Sequence, residues 1–177
     1  MAKLREFGWD TQIAKHLRYG GRLIGICGGF QMLGNTIADP HGIEGPEGIS
    51  DGIGYLDIDT TLTPEKQLQR VRGNLIFGGA KIAGYEIHCG ISTGSGLEKP
   101  LCDLGERRDG AISKDDHVIG TYLHGLFDES AARNALLQWA GLNRIAAFDY
   151  CARREADIER LADCVESHMP ALNTLFR

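Results

Sequence analysis

The chain has 177 residues, 42% of them hydrophobic and 24% charged, which is ordinary globular composition and enough length for one domain with a real core. Its net charge of -5, with no Lys/Arg stripe, argues against a nucleic-acid partner, because phosphates need clustered cations. No apolar run reaches the roughly 18 residues that span a bilayer, the start MAKLREFGWD lacks a signal-peptide core, and an odd five cysteines without a CxxC pair fit a reducing cytoplasm better than a disulfide framework.

Residues 10–20 predict a short amphipathic helix, with Asp10 as N-cap and Gly20-Gly21 as its stop. Arg22–Ile26 (RLIGI) reads as a short buried strand ending abruptly at Cys27-Gly28-Gly29, after which Phe30–Leu33 resumes helical character. Helix, strand, tight turn, helix is the grammar of a parallel α/β sheet. Residues 39–54, rich in Gly and Pro, predict a long loop. Strands are expected at Tyr55–Leu62, Gln69–Phe77 and Lys81–His88, the last two parted by Gly78-Gly79. Gly110–Ser113, a turn at Lys114–Asp116 and a strand over His117–His124 then lead to helices at Glu129–Ala140 and residues 151–168, whose apolar residues recur every three or four positions.

The stretch LIGICGGFQ carries the most chemistry. A cysteine at the end of a buried strand, followed by small residues that open a helix, has the form of a nucleophile elbow. Such a turn is strained and needs small neighbours, which Gly25, Gly28 and Gly29 supply. A helix N-terminus beside the sulfur lowers a thiol pKa toward the reactive range, and the Gly28 N–H can face the oxyanion of a tetrahedral intermediate. A cysteine packed as a small hydrophobe would fit the same residues.

A thiolate nucleophile also needs a base. His124, at the end of VIGTYL and followed by Gly125, is the first candidate, and it falls on the same strand-end edge as Cys27 if the sheet is parallel there. His88, ending GYEIH, is the second, and a hydrogen-bonded core histidine is the alternative for either. Zinc is disfavoured: Cys27, His88, Cys89 and His124 have the right atoms but no zinc-ligand spacing, and His88 and Cys89 would point to opposite faces of one strand.

GICGGFQMLG, GYEIHCG and GTYLHGLFD, in that order, resemble the class I glutamine amidotransferase domain of the cobyric acid synthases of cobalamin biosynthesis, and the similarity runs from LREFGWD to YCARREADIERLADCVESH. The resemblance implies a three-layer, flavodoxin-like α/β domain over residues 1–177 that hydrolyses glutamine. The ammonia would pass to a synthetase domain that uses ATP and Mg2+ to amidate corrin carboxylates, with adenosylcobyrinic acid a,c-diamide as substrate. No cofactor and no metal are expected in the amidotransferase domain itself.

Carried over position by position, Cys27 matches the nucleophile and His124 the catalytic histidine. Gln31 matches a residue that helps to hold the substrate glutamine, and Glu86 and His88 match the strand bordering the site. Class I triads carry an acid two positions after the histidine; here that position is Leu126, as in the subgroup it resembles, so a Cys–His dyad is expected, with Glu86 as candidate orienter. The chain is expected to be N-terminally truncated, without the family's synthetase domain, the first strands or the turn giving the second oxyanion N–H. The alternatives are an inactive fragment that folds against a partner chain, another cysteine hydrolase on the same fold, and the related cobyrinic acid a,c-diamide synthase.

Overall fold

A computed structural model describes residues 1–143, 145 and 149–169, the side chain of Cys151 excepted. The chain opens with two helices, α1 (Ala2–Glu6) and α2 (Trp9–Arg18), followed by β1 (Leu23–Ile26), α3 (Gly28–Met32), β2 (Thr36–Asp39), β3 (Gly48–Asp51), β4 (Asp59–Leu75) and β5 (Lys81–Thr93). A 3-10 turn at Ser95–Glu98 leads to β6 (Cys102–Asp103), β7 (Arg108–Asp109), β8 (Ala111–Ile112), β9 (Val118–Thr121), β10 (Leu123–His124) and α4 (Ser130–Trp139). Residues 1–143 form one compact unit, and α5 (Tyr150–His168) belongs to a second.

Two sheets organise the larger unit. The first has the order β1-β9-β8, with β1 and β9 parallel and Ile26 opposite Thr121. The second has seven strands, with β10-β5-β4-β2-β3 as its main path, β6 paired to β4 and β7 paired to β6. Strand β9 is buried along its whole length, as expected of a strand covered on both faces. Val118 packs into the cluster of Phe30, Leu33, Leu56 and Ile58, whereas Ile119 packs into that of Leu75, Leu101, Leu123, Leu126 and Leu136. The pleat of one four-residue strand therefore feeds two cores.

Four expectations change. Helix α2 starts at Trp9 behind Gly8 in the left-handed region (φ 69°), and Asp10 lies inside its first turn, accepting from the Thr11 N–H rather than capping. The expected loop at 39–54 contains one strand, β3, which pairs antiparallel with β2 where that strand runs into the loop at Asp39. Tyr55–Leu62 and Gln69–Phe77 contribute to one long strand, β4, whose register with β5 slips between Leu62 and Gln67. Pro64 sits in that gap, where its missing N–H cannot serve the ladder. The single strand expected over His117–His124 is two: the chain leaves β9 at Thr121, bends at Tyr122 and enters the other sheet as β10.

Candidate active site

Cys27 occupies the turn between β1 and α3 with φ 54° and ψ -115°, a conformation that costs a non-glycine residue energy and persists only when its surroundings hold it. Those surroundings are visible. The Cys27 N–H donates to the Thr121 carbonyl at 2.9 Å, continuing the β1–β9 ladder, and the Gln31 N–H donates to the Cys27 carbonyl at 3.2 Å. A Cβ on Gly25 would lie 2.7 Å from the Gly29 carbonyl oxygen, so glycine is what lets α3 fold back against β1. Gly28 and Gly29 are different: a Cβ on either would meet nothing within 4 Å. The turn does not demand their smallness; both face open space.

The half-buried Cys27 thiol donates to the Ile87 carbonyl on β5, with Sγ and oxygen 3.5 Å apart. Burial pushes this thiol above its ordinary pKa; the Gly28 N–H aimed at the sulfur works the other way, and the charges of Glu44 and Cys89 add to the rise. The lowered pKa expected at a helix N-terminus is therefore not realised here. Helix α3 is only five residues long, and desolvation outweighs it. The resting group is a thiol, and a base has to take its proton.

His124 lies on the same strand-end edge. Thr121, whose carbonyl holds the Cys27 N–H, is three residues before it. Strand β10 pairs His124 opposite Tyr85 on β5, and the two rings stack 5.0 Å apart at 7°. The His124 Nε2 is buried without a hydrogen-bond partner. No hydrogen bond joins it to Cys27; both groups meet β5, the sulfur at Ile87 and the imidazole at Tyr85. Contacts of this kind are commonly long before substrate arrives. Gly125 follows in the left-handed region (φ 81°), which ends β10 directly after the histidine.

The other expected residues divide. Glu86 pairs opposite Leu123 and so points to the face of β5 away from His124. It is 1% exposed, and one carboxylate oxygen takes bonds from Gln69 at 2.9 Å and Arg107 at 2.5 Å. Its expected roles as orienter of His124 and as a substrate contact do not fit this placement. Gln31 is also interior, 6% exposed, and its amide donates to the Tyr122 hydroxyl at 3.3 Å, so it braces the elbow from below instead of reaching outward. His88 shares the Glu86 face, stacks on Tyr122 at 3.8 Å, and has its Nδ1 2.8 Å from the Gly90 carbonyl oxygen. It lines a cleft of about 250 Å³ with Phe30, Ser92, Asp109 and Tyr122.

Two residues escaped the sequence reading. Tyr122 is the hub beneath the elbow: its hydroxyl meets Gln31 and Ser92, the latter at 2.7 Å, and Ser92 meets Thr60 at 2.8 Å. Asp109, buried, accepts from the Thr121 hydroxyl and from the Tyr122 N–H at 3.2 Å, pinning the bend between β9 and β10; burial raises its pKa. The only sequence signal for Tyr122 was its place inside GTYLH, and a lone Asp after two arginines gives none. Among the described residues no group of three or more His, Cys, Asp or Glu could hold a metal ion, and no helix is long and apolar enough to cross a membrane.

A parallel strand pair, a strained cysteine elbow at its end and a histidine three residues beyond the partner strand, on β10, fit an α/β domain of the class I glutamine amidotransferase type. The fold is similar to a solved structure described as "Crystal structure of glutamine amidotransferase", with a TM-score of 0.54 over 78% of this chain and 71% of that one; at 17% identity this likeness speaks for the fold alone. Residues 1–132 match the CobB/CobQ-like glutamine amidotransferase domain, and the chain belongs to that family. It is thus a glutamine amidotransferase domain of CobB/CobQ type, a family whose members hydrolyse glutamine for amido transfer.

Proposed function

We propose that this chain is the glutaminase module of a cobyric acid synthase, with Cys27 as nucleophile and His124 as its base. The strained Cys27 turn, hydrogen-bonded to the strand that leads directly to His124, is the observation that carries the reading. His124 rather than His88 is assigned as base because its Nε2 is uncommitted, whereas His88 is tied to the Gly90 carbonyl and stacked on Tyr122.

In the proposed cycle His124 takes the thiol proton as glutamine binds, and the thiolate attacks the γ-carboxamide carbon. The Gly28 N–H, already aimed at the sulfur, turns to the developing oxyanion. His124 returns the proton to the departing nitrogen, ammonia leaves, and water activated by the same imidazole hydrolyses the thioester to glutamate. Gln31 and Glu86 keep a supporting part, holding the elbow through Tyr122 and the β4–β5 sheet through Gln69 and Arg107. ATP and Mg2+ act only at the synthetase domain of the same enzyme, where the ammonia converts corrin carboxylates to amides.

The test is the nitrogen source. In the synthetase assembly, Cys27→Ala should abolish glutamine-dependent amidation of adenosylcobyrinic acid a,c-diamide and leave amidation with ammonium salts intact. Loss of both activities would make Cys27 structural, and full activity with ammonia on some other acyl acceptor would refute the corrin assignment.

A further inference from the structure

A catalytic imidazole must hold one ring plane, yet χ2 of histidine is a broad rotor that needs an outside constraint. In a Ser–His–Asp arrangement a buried carboxylate supplies it. His124 has no such partner: among the described residues no carboxylate hydrogen-bonds to it, and its Nε2 is unpartnered. The neighbouring acids are otherwise placed. Glu86 lies on the other face with Arg107 and Gln69, and Asp109 is spent on Thr121 and Tyr122. Asp128 stands beside Gly125 and its N–H is bound to the Gly125 carbonyl, without a bond to the imidazole. Two residues beyond His124, Leu126 is buried in the core at 1% exposure.

What does constrain the ring is Tyr85. It stands directly opposite His124 in the β10–β5 pair, and its ring lies over the imidazole at 5.0 Å and 7°, close to parallel. The preceding Gly84 makes the contact possible, because a Cβ there would fall 1.9 Å from the His124 carbonyl oxygen and push β10 away. Gly84 brings the backbone in, and Tyr85 covers the ring. Tyr85 is 46% exposed, more than a residue kept only to fill the core would be.

We propose that Tyr85 is a positioning residue for His124, its aromatic face fixing the imidazole plane in place of a hydrogen-bonding carboxylate. The proposal rests on the Cys27–His124 reading. A flat stack also suits the protonated imidazole formed when the thiol gives up its proton, since an aromatic face attracts a cation. The hydroxyl plays no part, so the ring alone should suffice.

The experiment measures covalent labelling of Cys27 in the full chain by a γ-diazoketone analogue of glutamine, followed by mass spectrometry to separate the limiting rate from the half-saturation concentration. Tyr85→Phe should label within about twofold of wild type, while Tyr85→Leu should lose about five- to tenfold in limiting rate, the scale of one aromatic contact, with half-saturation unchanged. Tyr85→Gln is the second ringless variant should leucine disturb folding. An unchanged limiting rate in the ringless variants, an equal loss in Tyr85→Phe, or a loss confined to half-saturation would overturn the proposal. His124→Ala separates the two levels: if it labels as fast as wild type, the Cys–His reading itself fails, whereas slow labelling of His124→Ala with unaffected Tyr85→Leu removes only Tyr85.

Discussion

Cys27 and Cys102 show how one residue type takes two chemistries. Cys102 is fully buried, and burial with the nearby Asp109 charge pushes its thiol up to about 12. Cys27 is half-exposed and raised less, with the Gly28 N–H opposing the rise. A raised thiol pKa means less thiolate at any given pH. Iodoacetamide should therefore modify Cys27 along a profile displaced to higher pH than an ordinary thiol, and should leave Cys102 unmodified in the folded chain. Peptide mapping across a pH series measures both, and fast labelling of Cys102 would mean that its pocket opens. Asp109 gives a second test. Its folded pKa is raised, so its contribution to stability is complete below the ordinary carboxylate value of about 4 and is lost as pH rises through the folded value. Asp109→Asn keeps an acceptor for the Tyr122 N–H and does not titrate. The stability of wild type relative to Asp109→Asn, from urea midpoints, should fall as pH rises from acid to neutral; a flat or rising difference would contradict the assigned burial.

At the scale of elements, the site depends on where backbones are allowed to touch. Gly28 faces open space and sits in a helix, so Gly28→Ala should fold as well as wild type, with a helix-propensity gain of up to about 1 kcal/mol. If that space belongs to glutamine, the same methyl should raise KM for glutamine several-fold. Gly84→Ala should do the reverse. Its methyl meets the His124 backbone, which no rotamer change relieves, so a stability loss of about 1–3 kcal/mol should accompany loss of glutaminase activity. Thermal melts and steady-state kinetics on the pair check this; equal behaviour of the two variants would mean that the β5–β10 contact is not as drawn.

The whole molecule divides into residues 1–143 and a second unit that contains α5. Helix α5 carries Ile158, Leu161 and Val165 at helical spacing, yet these stay exposed, and no described side chain in α5 is buried. The elbow, its brace and both core clusters lie within 1–143. A chain ending at Asn143 should therefore keep cooperative unfolding and an unchanged rate of Cys27 labelling by the glutamine analogue. Loss of either on truncation would mean that the tail supports the site.

The local features were legible in the sequence because their causes are local. RLIGI carries Gly25, which lets a helix fold back against the strand, so the Cys27 elbow could be placed from the sequence. GTYLHG ends in a glycine that stops its strand, so His124 could be put at a strand end. The helices at 130–139 and 150–168 followed from apolar spacing. Other features arise only when distant segments meet. Alternation in GYEIH says that Glu86 and His88 share one face and Tyr85 the other, but not which face His124 joins; the β10 register decides that, and it turned Glu86 inward. The raised thiol pKa is not legible in the sequence, because helix position is written there whereas desolvation comes from a strand sixty residues away. Sequence determined which atoms could do the chemistry, since identity and immediate neighbours set the turn. Only the tertiary structure decided which of them face each other, because strand pairing and burial are properties of contacts between segments that the chain order does not fix.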